Sequence, residues 1–361
     1  MHRGLARALG VPFAGLARVS PGGVPDVNWR PTGLTYPYWD VVGTNGDVYV
    51  LGRRDTGVMQ SVRYSATRSG EPVIRYTITP HASPAVIVNR DMRVDEVFRG
   101  RDHWLYVSVY DANEAKWGQR ILRIDTRTDR FDPQWVYVIP GSNRVLPILG
   151  PDGALYIAGV TSGTMQPQTW TITRLDEGNS ATIRWTSNFV AGTLTATADA
   201  SGRLYVMTRV ASNAAASTVV TRLNAAGVID STWNGAGASA AMSQSVLNTR
   251  MKSQGGDLFV TANPNVPART SGVVIVRFDE NGVESARWTK AGVSAADQPD
   301  VFVDSSGGDL YANTSDDLFV LDPITLKEKR SLSLIFGAAG GVARALQLPD
   351  GGYLLIGQFD V

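Results

Sequence analysis

A turn followed by a short strand with an aromatic at its centre occurs along the whole 361-residue chain. It reads GDVYV (46–50), HWLYV (103–107), GALYI (153–157), GRLYV (202–206), GDLFV (256–260) and GDLYA (308–312), and GGYLLI (351–356) puts leucine in the aromatic slot. The slot residues Tyr49, Tyr106, Tyr156, Tyr205, Phe259, Tyr311 and Leu354 are 57, 50, 49, 54, 52 and 43 residues apart. Near-constant spacing of this size marks a chain built from similar units, each of which needs a neighbour to bury its apolar face. Length then loses its usual bearing on domain number, because a single ring of units can absorb the whole chain.

A second element follows the first. An apolar strand ends in Arg, an apolar residue and Asp or Asn, as in LRID (122–125), TRLD (173–176), TRLN (221–224) and VRFD (276–279), with weaker copies at VRYS (62–65) and FVLD (319–322). Trp recurs eleven or twelve residues after the Arg, in the pairs Arg123 and Trp135, Arg174 and Trp185, Arg222 and Trp233, and Arg277 and Trp288. The turn between them often holds Gly, which supplies the positive φ of a tight hairpin. An apolar stretch precedes each aromatic strand: YWDVVG (38–43), VDEVF (94–98), VLPIL (145–149), TLTAT (193–197), VLNTR (246–250), DVFVD (300–304) and ARALQL (343–348). Each unit thus reads as strands A, B, C and D in a meander, B carrying the aromatic, C ending at the Arg and D finishing near the Trp. Seven such units predict an all-β chain, a seven-bladed β-propeller of four-stranded antiparallel blades.

The two ends of the chain are complementary. ARVSPGGVPDVNW (17–29) has Arg18 and Trp29 at the C–D spacing with no A–B hairpin before it, and ARALQLPDGGYLLIGQFDV (343–361) is an A–B hairpin with no C–D hairpin after it. Residues 13–30 and 343–361 are expected to share one closing blade, which removes two free sheet edges. Residues 1–361 are then a single domain with 1–12 as an N-terminal extension.

A side chain that returns in every unit serves the contact that every unit makes. Arg18, Arg63, Arg123, Arg174, Arg222 and Arg277 are expected to lay their stems along the neighbouring sheet and pair with a turn carboxylate, the charge being dropped at Val320. Trp29, Trp135, Trp185, Trp233 and Trp288 are expected to cover the outer strands, and the strand-B aromatics to fill the space between blades. Binding is expected where the units differ. The B–C loops DANEAKWGQ (111–119), TSGTMQPQT (161–169), ASNAAAS (211–217) and NPNVPARTSG (263–272) are polar and varied, and they emerge on one side of a rigid scaffold. Trp117, Gln166, Gln168, Asn213, Asn263, Asn265 and Arg269 are the candidate contact residues on that side.

Other chemistries find little footing. With 34 basic and 33 acidic side chains the formal charge is +1, so no long-range field draws nucleic acid. There is no cysteine, which excludes disulfides, thiolate metal sites and a Cys nucleophile. Arg7 and Gly10 interrupt any apolar leader, and no apolar run is long enough to span a membrane. His2, His81 and His103 are scattered, and only His81 and His103 lie close enough in sequence to meet. No calcium loop, P-loop or Gly-x-Ser-x-Gly elbow occurs, and no cofactor is expected. A carboxylate pair meeting only in three dimensions keeps open a hydrolase or lactonase with a central-channel site.

The run from strand B through the C–D hairpin, in GALYIAGVTSG…TITRLDEG (153–178) and GRLYVMTRV…VVTRLNAAGVIDSTW (202–233), resembles the delta-60 repeat family of β-propellers, with Trp standing where that family has Phe. The resemblance is weakest over 54–120 and 313–345. It implies a non-enzymatic bacterial surface protein or bacteriophage structural module. The expectation drawn from it is a virion component of the tail or tail fibre, acting as a rigid adaptor or host-surface binder. Its partners would be other virion proteins, further copies of the chain and a host-surface glycan or protein. A carbohydrate- or protein-binding propeller outside the bacterial cell is the alternative.

Overall fold

A computed structural model describes residues 16–20 and 26, the strands lying between 36 and 100, most of 103–333 outside the loops, and 341–347 and 353–358; side chains are described mainly between 103 and 331. Every regular element in these residues is a β-strand. Alternating Tyr, Val, Leu and Ile with Gly and Asp at the turns favours a pleated, half-buried backbone.

The strands form seven antiparallel sheets. The first holds β2 (Tyr36–Val42), β3 (Val48–Arg53), β4 (Met59–Tyr64) and β5 (Pro72–Thr77); the second holds β6 (Met92–Arg99), β7 (Trp104–Asp111), β8 (Gly118–Asp125) and β9 (Arg130–Ile139). The third holds β10 (Val145–Leu149), β11 (Leu155–Ser162), β12 (Gln168–Leu175) and β13 (Ile183–Ala191); the fourth holds β14 (Thr193–Ala198), β15 (Leu204–Val210), β16 (Ser217–Leu223) and β17 (Ser239–Ala241). The fifth holds β18 (Val246–Gln254), β19 (Asp257–Pro264), β20 (Gly272–Phe278) and β21 (Glu284–Ala291); the sixth holds β22 (Asp300–Val303), β23 (Leu310–Asn313), β24 (Asp317–Leu321) and β25 (Glu328–Ser333). In each of these six the strand order follows the chain, as in a meander. The seventh is β26 (Gly341–Gln347), β27 (Tyr353–Gln358) and β1 (Leu16–Val19), with Ala17 opposite Leu355. The segment expected as its fourth strand, including Trp29, lies outside the described residues.

The first strand of each sheet lies beside the first strand of the next, from β2 and β6 through to β22 and β26. The core is therefore a series of seams between sheets. In one seam Tyr205, Met207 and Val220 of the fourth sheet pack with Val260, Ala262, Val274 and Phe278 of the fifth. In the next, Phe259, Val273 and Ile275 of the fifth pack with Leu310, Ala312 and Phe319 of the sixth.

A register shift falls at the Arg position of the third-to-fourth strand ladder in sheet after sheet: between Arg63 and Tyr64, Leu122 and Ile124, Arg174 and Leu175, Arg277 and Phe278, and Val320 and Leu321. A bulge adds one residue to one strand, raises the local twist and re-aims a side chain. At Arg123, Arg174 and Arg277 it falls at a residue that reaches into the next sheet.

Candidate functional site

A meander puts the A–B and C–D turns at one end of each sheet and the B–C and D–A loops at the other. The turn side is dominated by the repeated Arg. Nη1 of Arg123 donates to the carbonyl of Gly178 at 3.2 Å, Arg174 to Ala225 at 3.0 Å, Arg222 to Glu280 at 2.8 Å and Arg277 to Ile324 at 3.2 Å. Each acceptor belongs to the C–D turn of the following sheet. The turns of successive sheets therefore share one side.

Remaining donors of Arg123, Arg222 and Arg277, and Arg18 of the seventh sheet, meet carboxylates. Arg123 pairs with Asp132; Arg222 pairs with Asp230 through Nε at 2.9 Å and Nη2 at 2.7 Å; Arg18 pairs with Asp26 at 3.1 Å. All three carboxylates sit on the C–D hairpin of the Arg's own sheet. Arg277 has Ser285 at that position and turns to Asp257 of its A–B turn, at 2.6 Å. Arg123 and Arg222 are buried, and buried charge persists only when paired and hydrogen-bonded. For Arg63 only the backbone, within β4, is described.

The Trp series does not cover the outer strands as simply as its spacing suggests. Trp135, Trp185 and Trp288 lie within β9, β13 and β21, well before their ends, while Trp233 lies in the turn ahead of the short β17. Trp135 and Trp233 are fully buried. Two of them are pressed against glycines of the next sheet's C–D turn. A Cβ added at Gly227 (φ +78°) would come within 2.5 Å of the Trp185 ring, and one at Gly282 (φ +82°) within 2.7 Å of the Trp233 ring. The strand-B aromatics join the same seams: Tyr106 packs tilted against Trp135 with centroids 4.9 Å apart, and the Tyr156 hydroxyl donates to the Gly202 carbonyl of the following sheet.

The Asp or Asn after the Arg closes its own turn. Asn224 Oδ1 accepts from the amides of Ala226 and Val228, and Asp279 Oδ1 from those of Asn281 and Val283, all at 2.9–3.1 Å. Hydrogen bonds donated to a carboxylate favour its ionised form, as three other carboxyls show. Asp230 lies below the usual carboxylate range chiefly because the Thr232 hydroxyl donates to it at 2.6 Å, with the Thr232 amide and Arg222 adding to the effect. Asp322 is lowered by the amide and hydroxyl of Thr325, and Asp125 by the Arg127 guanidinium. His103 Nε2 stands 3.9 Å from Asp125, whose second oxygen is taken by Arg127, and its ring lies against Trp104. His2 and His81 lie outside the described residues. Among the described residues no three His, Asp or Glu side chains converge as metal ligands, and no helix is long and apolar enough to cross a membrane.

The loop side is where the sequence places binding. Gln168 opens β12 opposite Ala191, and the backbone of Asn263 lies in β19 opposite Leu247. Trp117, Gln166, Asn213, Asn265 and Arg269 lie outside the described residues. Two residues on this side escaped the sequence reading. Arg209 and Thr218 face each other across β15 and β16 one pair below the loop. Position along the chain does not mark them: four residues after the aromatic slot the preceding units have Arg53, Tyr110 and Val160.

No family model and no curated protein matches the chain. Solved structures do. A prolyl endopeptidase aligns with a TM-score of 0.55 at 13% identity over 96% of this chain and 47% of its own, so the chain spans about half the length of that enzyme. The WD40 domain of coronin from Toxoplasma gondii aligns at 0.53 with 11% identity over 92% of this chain and 79% of the domain. An ulvan lyase, a polysaccharide lyase, aligns at 0.50 with 10% identity over 97% and 96%. At such identities the likeness is one of fold, and the fold is of the β-propeller type. Peptidase, lyase and WD40 domain share it, so function is argued from the site.

Proposed function

We propose that the seven sheets form one closed seven-bladed ring, its last blade shared by the two ends of the chain, and that this ring is a non-enzymatic binding scaffold. The setting we assign to it is the tail or tail fibre of a bacteriophage particle, where it acts as a rigid adaptor and recognises a host-surface glycan or protein. One observation carries the reading. The recurring Arg, Trp and Asx residues are engaged in the seams and turns of one side, which leaves the variable B–C loops of the opposite side as the place where the units differ chemically. Loops on a rigid frame are well suited to recognition, because little ordering is left to do on binding.

Two measurements test it. Antibody to the chain should decorate the tails of purified parent particles in negative stain, and particles free of the chain would overturn the viral setting. Replacing 111–119, 161–169, 211–217 and 263–272 by Gly-Ser segments should abolish binding of the purified protein to host cells while the fold survives. Undiminished binding, or turnover of peptide, glycan or lactone substrates by the unaltered protein, would overturn the scaffold reading.

A further inference from the structure

We infer that Arg209 and Thr218 form an anion-binding notch at the loop end of the seam between the fourth and fifth sheets. The notch takes the carboxylate or sulfate of an acidic surface sugar, an assignment that rests on the loop-side reading above. On β15 and β16, Tyr205 lies opposite Arg222, Met207 opposite Val220 and Arg209 opposite Thr218. Alternation along a strand puts these pairs on one face, and Tyr205, Met207 and Val220 show which: they pack against the fifth sheet. The third and second sheets hold Val160 with Trp170, and Tyr110 with Gln119, in the corresponding positions. The first sheet has Arg53 opposite Met59 at the same register, so what sets the fourth sheet apart is a cation facing a hydroxyl.

Arg209 Nε is buried and makes no hydrogen bond, and among the described residues no carboxylate pairs with it, whereas Arg123, Arg222 and Arg277 all have one. Directly opposite, Thr218 is 3% exposed and its buried Oγ1 likewise makes no hydrogen bond. Valine would fill a Thr218-sized space in an apolar seam without leaving a polar atom unmet. An oxyanion entering from the loop side satisfies both groups at once: the planar guanidinium fork matches a carboxylate or sulfate, and the hydroxyl donates a further bond.

The purified full chain is titrated at low ionic strength with glucuronate, glucose 6-sulfate and glucose, following amide shifts by NMR. Binding of one or both anions, absence of glucose binding and weakening by added NaCl are expected; the tighter anion identifies the source of the charge. Arg209→Gln should weaken anion binding at least about tenfold, and Thr218→Val about threefold or more, the latter with Tm unchanged or raised, which a purely structural hydroxyl would not allow. No anion binding, or equal binding by Arg209→Gln, would overturn the notch. Host-cell binding kept by Arg209→Gln but lost on loop replacement would also overturn it and leave the loop-side reading standing. Anion binding lost in Arg209→Gln while cell binding survives every loop replacement would uphold the notch and overturn the loop-side role in recognition.

Discussion

Gly227 and Gly255 share a left-handed backbone and differ in what surrounds them. At Gly255 (φ +59°) nothing lies within 4 Å of an added Cβ, so Gly255→Ala carries only the backbone strain, about 1 kcal/mol. At Gly227 the same methyl meets the Trp185 ring, and Gly227→Ala should cost roughly 2–4 kcal/mol as the seam between third and fourth sheets shifts. Urea unfolding of the two variants separates these effects, and equal losses would show that the Trp185 contact is slack. Arg222→Met, which strands Asp230 and the Glu280 carbonyl of the next sheet, should lose about 2–4 kcal/mol. The recurrence of Arg and Trp, and a turn carboxylate as partner of the Arg, were legible in the sequence, but the second partner of the Arg was not. Backbone carbonyls carry no residue signature, so the four Arg bonds to the next sheet's turn had nothing in the sequence to announce them.

At the scale of the hairpin, the C–D turn is a small electrostatic device. Asp230 is lowered in the folded chain by Thr232 and Arg222, so its contribution is fully present above the unfolded carboxylate pKa of about 4 and is lost as pH falls through the lower folded value. Chemical denaturation between about pH 5 and pH 2 should show a falling acid limb that is shallower in Asp230→Asn, and an identical limb would show that Asp230 does not titrate with folding. The sixth sheet shows how far linear reading goes. Val320 reads as the unit in which the charge is dropped, yet Lys329 of β25 restores a cation, reaching Asp309 at 2.7 Å. Asp309 occupies the A–B turn position that Asp257 fills for Arg277. The substitution crosses from one strand to its neighbour beside a bulge, and such cross-strand exchange is invisible to spacing along the chain. Strand A, B and C positions were legible because their aromatic and Arg slots recur. Strand D was less so: β9 has 10 residues and β17 has 3, although Trp follows the Arg at nearly the same distance in both units.

The proposed ring depends on the two ends of the chain meeting. The meander order of strands and the pairing of β1 with β27 could be read from the sequence, whereas the notch at Arg209 and Thr218 could not, because it arises from two neighbouring strands and the face of a third. Deleting residues 1–30 should expose the edge of β27 and give aggregates in light scattering, and a monomeric truncation that melts cooperatively would contradict closure. The most direct measurement exploits the absence of cysteine from the chain. Ala17→Cys and Leu355→Cys together place two thiols on residues that face each other across β1 and β27. The closed ring predicts spontaneous disulfide formation in the monomer, so that a chain nicked once in a loop still runs as one covalent piece on a non-reducing gel. Two thiols that stay free under oxidising conditions, in a protein that remains folded, would show that the ends do not share a sheet and would contradict the ring.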